Sequence, residues 1–301
     1  MKIKLIKNLL RRIVYIKILN ALLRRLVRPF SSIIPKNIIN RIPVIGIISL
    51  QLPNSKKLYL YTDGNDPITS ILSWRGIDAY ERSTIKLFIK LLRYSDSVFD
   101  IGANIGIYAL IAAIDNPNRN VYAFEPVPRV FDYLKKNVEI NRLHNLQIDS
   151  SAITNYDGNI SIYIPPQDIP VSASTLQGFR NTSEVITVRA LTLDTFIAVN
   201  NISRVDLIKI DTEATEHRVI EGAKTILKRD EPIIICEVLK GRTELFLHSI
   251  MDRLGYKYFW ISRDGMIKKE QIEGDETYQN TNYLFITKQK IREVMQKINL
   301  S

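Results

Sequence analysis

Val98-Phe99-Asp100-Ile101-Gly102-Ala103-Asn104-Ile105-Gly106 has the form of a buried strand that runs into a glycine loop and opens a helix. Glycines at 102 and 106 permit a sharp turn and a close backbone approach to a ligand. A helix starting near Ile105 presents unpaired N–H groups, a setting for an anionic group. A second strand ends in Ala123-Phe124-Glu125-Pro126, which puts Glu125 23 positions after Gly102. An acid roughly 20 residues on, at the end of the second strand of a βαβ unit, accepts hydrogen bonds from ribose hydroxyls. Alone, Gly-x-Asn-x-Gly also fits a plain strand-to-helix turn; Glu125 and the surrounding βαβ pattern favour a nucleotide site.

The loop narrows the choice of nucleotide. A dinucleotide fingerprint has the form G-x-G-x-x-G, whereas this loop is G-x-N-x-G with Asp100 immediately before the turn. A fixed negative charge there opposes a pyrophosphate and suits a ligand with ammonium and sulfonium groups beside one carboxylate. S-adenosylmethionine is such a ligand. Asp100 and the loop amides, with Gly102, Asn104 and Gly106, are assigned to its methionine portion and Glu125 to its ribose. Ser150 and Ser151, at the end of a third strand, are candidates for the adenine edge or for simple turn chemistry.

Outward from this stretch, strands and helices alternate, so an α/β fold with a parallel sheet wound by crossover helices is expected. Strands are expected at 97–101, 120–124, 145–149, 205–210, 232–238, 256–260 and 282–286, the last two as an antiparallel hairpin across a charged turn at 262–278. Helices are expected at 77–92, 105–114, 128–141, 192–199, 216–228 and 243–253, with an extra hairpin and polar loop in 158–188. Residues 1–77 form an N-terminal part, with a basic helix, a proline-marked linker and a hairpin near 44–50 and 57–61, and residues 78–290 a ligand-binding domain.

Tyr80-Glu81, Asp100 to Gly106, Ala123 to Pro126, Thr192-Leu193-Asp194, Asp206 to Asp211, Glu216 and Glu221-Gly222, in this order, resemble the FkbM family of S-adenosylmethionine-dependent methyltransferases. The likeness covers about residues 78–240. It implies a class I, Rossmann-like methyltransferase fold with a seven-stranded, mostly parallel sheet and helices on both faces. It also implies methyl transfer to an oxygen, commonly a hydroxyl of a sugar, a polyketide or another secondary metabolite. In the family arrangement Glu81 stands near the cofactor's ammonium, and Pro126 follows the ribose acid. Where the family pattern runs Asp-x-Glu-Gly-x-Glu, this chain has Asp211-Thr212-Glu213-Ala214-Thr215-Glu216. If that backbone needs a positive φ, alanine costs stability there.

Ligands of open parallel sheets bind at the carboxyl ends of the strands. Asp211, Glu213, Glu216, His217 and Glu237 gather at two such ends, and crowded carboxylates raise one another's pKa, which suits a general base. Asp211 and Glu237 are the preferred pair, with Glu216 and His217 behind them. Competing roles are a favourable charge at a helix start for Glu213 and Glu216, a turn contact for Glu237 and a packing role for His217. A carboxylate cluster of this kind can also hold a divalent metal, though no ligand spacing demands one. Acceptor contacts are expected from 171–180, with Ser172, Ser174 and Thr175, and from Trp74.

The 301 residues carry a net charge of +11, but the charge is localised. Residues 1–62 hold 13 of the 42 Lys and Arg and no acid, so the remaining 29 bases face all 31 acids. A slightly acidic remainder argues against a nucleic-acid methyltransferase, as does Asp211-Thr212-Glu213 in place of Asn-Pro-Pro-aromatic. A non-catalytic module of the same fold is a third reading. Within residues 2–28, apolar positions recur at helical spacing between bases, and no run reaches the roughly 20 apolar residues of a membrane span. Such a helix lies on an anionic membrane surface through residues 1–30, or docks its apolar face on the protein. One cysteine, Cys236, excludes a disulfide framework and fits the cytoplasm. The expected partner is a small-molecule, sugar or lipid-linked acceptor.

Overall fold

β3 (Ser97–Ile101) and β9 (Leu207–Ile210) are buried at every position, as strands covered on both faces must be. They pair in parallel at the centre of an eight-stranded sheet. On one side follow β4 (Asn120–Phe124) and β5 (Leu146–Asp149), both parallel. On the other side β10 (Ile233–Glu237) is parallel to β9, and β13 (Asn282–Thr287) is antiparallel to β10 and to β11 (Tyr256–Ser262). With β12 (Gly265–Lys269) at one edge, the order β12-β11-β13-β10-β9-β3-β4-β5 reverses between β3 and β9 and is the class I arrangement that the resemblance implies. The computed structural model describes residues 16–31, 33–35, 39, 42–166, 173–178, 181 and 184–295.

The chain divides into two units, Met1–Arg82 with Glu139–Asn141, and Ser83–Val138 with Arg142–Ser301. The second unit holds the sheet. Its helices include α4 (Ile107–Asp115), α5 (Pro128–Asn141, whose last three residues fall in the first unit), α6 (Leu193–Val199), α7 (Glu216–Glu221), α8 (Lys224–Asp230) and α9 (Glu244–Arg253). Phe196 of α6 meets Phe124 edge-on at 4.7 Å and Phe99 at 6.4 Å, which locks the helix onto the sheet. The expected hairpin in 158–188 is present as β7 (Gly158–Ile164) and β8 (Glu184–Leu191), joined by β6 (Ala152–Ile153) in a three-stranded sheet.

In the first unit, β1 (Gly46–Gln51) and β2 (Lys57–Thr62) form the expected hairpin. Leu50, Leu58, Leu60, Leu72 and Trp74 make its core, so Trp74 packs inside this unit instead of offering a face to an acceptor. α1 (Lys17–Val27) is helical as expected, while residues 2–15 of the expected basic helix lie outside the described residues. α2 (Pro67–Arg75) escaped the sequence reading because it has almost no amphipathic stripe. Its start was legible: Asp66 caps the amides of Ile68 and Thr69, with Pro67 at the first helical position.

Three boundaries differ from expectation. The sheet has eight strands instead of seven, because β12 (Gly265–Lys269) forms within the supposed turn and pairs with the outer edge of β11. An edge strand buries little, so Gly265-Met266-Ile267-Lys268-Lys269 shows no apolar alternation. The helix expected at 77–92 is a 3-10 turn at Ile77–Ala79 and then α3 (Arg82–Leu91), separated by extended Tyr80 and by Glu81 at φ 38°. The helix expected at 216–228 breaks at Gly222, whose backbone lies against the Thr154 carbonyl so closely that a Cβ would collide. Asp194 then accepts the amides of Thr225 and Ile226 and restarts the chain as α8.

Where the strand order reverses, Gly102 adopts φ 79° and its backbone sits against the carbonyl of Asp211, leaving no room for a Cβ. Gly102→Ala therefore adds left-handed strain to a backbone collision and is expected to cost about 3 kcal/mol or more. Urea unfolding measures this; an unchanged midpoint would contradict the packing.

Candidate active site

The glycine loop is tied down from three sides. Gly102 and Ala103 donate their amides to the Phe124 carbonyl at 3.0 and 2.9 Å, and Asp211 donates its amide to Ile101 at 2.9 Å. Asn104 (φ 50°) and Gly106 (φ 93°) complete the left-handed turns, and a Cβ on Gly106 would strike Leu134. Gly102 is thus required by a backbone contact inside the protein, and Gly106 by its left-handed φ. Asp100 is buried, and its Oδ2 accepts the Ala109 amide of α4 at 2.9 Å.

Glu125, at the end of β4, accepts the Asn104 amide with Oε2 and the Val127 amide with Oε1, each at 2.9 Å. Burial, opposed by those two amides, raises its pKa to about 7. Each carboxylate oxygen keeps a second lone pair. Pro126 follows it half-buried. At the end of β5, Asp149 Oδ1 accepts the Ser151 amide at 2.7 Å in an Asx turn; Ser151 is buried and Ser150 exposed.

The expected acids come together at the ends of β9 and β10. Asp211, Glu213 and Glu237 each place a carboxylate oxygen within 4.8 Å of the other two. Burial, then Asp211, Glu213 and Glu216, push the Glu237 carboxyl well above the usual range, and its Oε2 is buried without a hydrogen-bond partner. Glu216 is fully buried and acts as a clamp: its Oε1 accepts the Thr212 amide, the Thr212 hydroxyl and the Ala214 amide at 3.0, 3.2 and 3.1 Å. Burial and the nearby Asp211 raise its pKa to about 7. His217 stacks on Phe246 of α9 at 5.0 Å, its Nδ1 is buried without a hydrogen-bond partner, and burial lowers its pKa.

Lys209 was not among the sequence-derived candidates. It is 1% exposed in the middle of β9, pairs with Asp211 at 3.0 Å and lies 5.3 Å above the Tyr108 ring. A lysine inside the run Leu207-Ile208-Lys209-Ile210 carried the signal, since a buried cation requires an acid nearby. Of the expected acceptor segment, Ser174 donates its hydroxyl to the Glu213 carbonyl at 2.5 Å, and the Thr175 hydroxyl is buried without a partner. Ser172 lies outside the described residues, as do 171 and 179–180. Glu81 and Trp74 belong to the first unit.

Glu213 (φ 55°) and Ala214 (φ 75°) both have left-handed backbones, so the position that is glycine in the family pattern does need a positive φ. The strain of about 1–2 kcal/mol meets two offsets. Ala214 is buried against Leu239 and Leu176, a methyl worth about 0.8 kcal/mol. Alanine also loses less chain entropy than glycine, by about 0.5–1 kcal/mol. Ala214→Gly should therefore change unfolding free energy by less than about 1 kcal/mol; a gain above about 2 kcal/mol in urea titration would show that the methyl contributes nothing.

The family profile described as the methyltransferase FkbM domain matches residues 100–258, over half of the chain. The 31-O-demethyl-FK506 methyltransferase FkbM of Streptomyces tacrolimicus is 28% identical, over 44% of this chain and 61% of its own length. The hexuronic acid methyltransferase AglP of Haloferax volcanii is 26% identical, over 54% of this chain and 64% of its own. The match thus spans roughly three-fifths of these relatives. The crystal structure of methyltransferase FkbM from Methylobacillus flagellatus has 17% identity and a TM-score of 0.44, covering 69% of this chain and 46% of that one. On the profile match, the chain belongs to the FkbM methyltransferase family.

Proposed function

We propose that the protein is an S-adenosylmethionine-dependent O-methyltransferase acting on a hydroxyl of a sugar, a lipid-linked saccharide or a secondary metabolite. The observation that carries this reading is the buried, partnerless Oε2 of Glu237 among three converging carboxylates at the carboxyl ends of β9 and β10. An acceptor hydroxyl is the group that such an oxygen lacks. The names of two relatives, one acting on 31-O-demethyl-FK506 and one on hexuronic acid, support an oxygen acceptor of this kind.

The donor set fits the cofactor. Four acids, Asp211, Glu213, Glu216 and Glu237, face one buried cation, Lys209, so the cup favours a cationic ligand. Glu125 has spare lone pairs for a ribose diol, and Asp100, Gly102, Asn104 and Gly106 shape the loop beside it. S-adenosylmethionine, when bound, supplies an electrophilic methyl on sulfur. The chain's part is to align the acceptor, exclude water and remove one proton. Glu237 Oε2 receives the hydroxyl proton, Asp211 orients the acceptor while tied to Lys209, and Ser174 holds the 213–214 backbone in place. Cys236, buried with its thiol pushed up by burial, takes no part, and a single buried thiol suits the cytoplasm.

A base acts in its ionised form, and Glu237 ionises only at raised pH, so turnover should rise with pH through a midpoint well above the usual carboxylate range. Glu237→Gln should lower kcat by about 10²–10⁴-fold and abolish that rise. The assay follows labelled methyl into uronic acid glycosides and hydroxylated macrolides. Equal turnover and an equal pH profile in the variant would overturn the role of Glu237.

A further inference from the structure

The first unit turns its N-terminal helix so that the polar contacts face inward. Asn20 is fully buried; its Nδ2 donates to the Pro43 carbonyl at 2.7 Å, and its Oδ1 accepts the Ile45 amide at 3.1 Å. One turn later Arg24 donates from Nη2 to the Ile45 carbonyl at 3.0 Å. These bonds fix the rotation of α1, and residues at about 100° per step place Ile18, Leu19, Leu22 and Leu26 on the opposite side. All four are exposed, Ile18 and Leu26 by 73% and 72%, and Phe30 and Ile33 beyond the helix are exposed as well. A helix that docked its apolar stripe on the protein would show the reverse.

Beside this apolar strip lies a groove of about 420 Å³, lined by Arg24, Arg25, Arg28 and Ser49 among others. Arg24 Nε is buried there without a hydrogen-bond partner, and none of the three arginines forms an ion pair among the described residues. Burial and the neighbouring Arg28 depress the Arg24 pKa, as expected where like charges meet without a counterion. Residues 1–62 contain no acid to supply one.

We infer that α1 docks on an anionic phospholipid surface, with Ile18, Leu19, Leu22, Leu26 and Phe30 in the acyl boundary and lipid phosphates on Arg24, Arg25 and Arg28. Apolar insertion and headgroup attraction act together, as in interfacial helices. The charge pattern selects this occupant over a second copy of the chain, whose matching face would bring the same arginines together. Such docking rests on the proposed function only in bringing the chain to the surface where lipid-linked saccharides reside, and it does not depend on catalysis.

The test is vesicle sedimentation of the full-length protein with phosphatidylcholine alone and with phosphatidylcholine containing phosphatidylglycerol. Binding is expected only to the anionic vesicles and should weaken in high salt. Arg25→Glu with Arg28→Glu should weaken it at least about tenfold, since each base contributes about fivefold. Leu22→Glu with Leu26→Glu should weaken it comparably, and these exposed positions should leave the thermal melt unchanged. Equal binding to neutral vesicles, retention by both double variants, or binding of inorganic phosphate without vesicle attachment would overturn the inference. So would lipid-free self-association that the leucine variant abolishes.

Discussion

The approach of the Gly102 backbone to the Asp211 carbonyl is the contact on which the active end of this fold depends. It occurs where the strand order reverses, the place in an open parallel sheet where neighbouring loops diverge and leave a crevice. Because no side chain separates the two backbones, the loop that follows β3 and the acids that follow β9 are held in one rigid piece. Glu125 extends the piece to β4 by holding the Asn104 amide, and Glu216 extends it to α7 by gathering three donors from residues 212–214. Two of the most buried carboxyls in the molecule are therefore fasteners as well as charges.

Those fasteners set the electrostatics. Asp211, Glu213, Glu216 and Glu237 share a small volume, and among the described residues Lys209 brings the compensating charge from within the sheet. The pair Lys209–Asp211 leaves Glu237 as the acid with the least support, which is why burial and its neighbours move it so far. On the proposed function, the cationic cofactor would complete a cup with this imbalance, and Glu237 Oε2 would take the proton of the acceptor hydroxyl.

Much of this was legible in the residues. The glycine loop, Glu125 and the acids after β9 and β10 each follow a buried strand, so their place at the carboxyl edge could be read from order alone. What the letters hid were roles decided by direction. His217 sits one residue from Glu216, yet a helical step of about 100° turns it onto Phe246. Gly102 and Gly106, expected to bring the backbone close to a ligand, also make room for Asp211 and Leu134 inside the protein. Lys209 was overlooked because an apolar run conceals a single charge, and β12 because an edge strand needs no apolar alternation. In α1 the periodicity was plain, but which side faced the protein was settled by Asn20, a polar residue that no hydrophobic pattern weighs.

The central claim is that this rigid, anionic crevice binds S-adenosylmethionine. Calorimetric titration of the folded full-length protein tests it most directly, with Glu125→Ala as the comparison. The account predicts saturable binding at one site, competed by S-adenosylhomocysteine, and at least about tenfold weaker binding, near 1.4 kcal/mol, when Glu125 is removed. Absence of binding by the folded wild-type protein, or unchanged affinity in the variant, would contradict it.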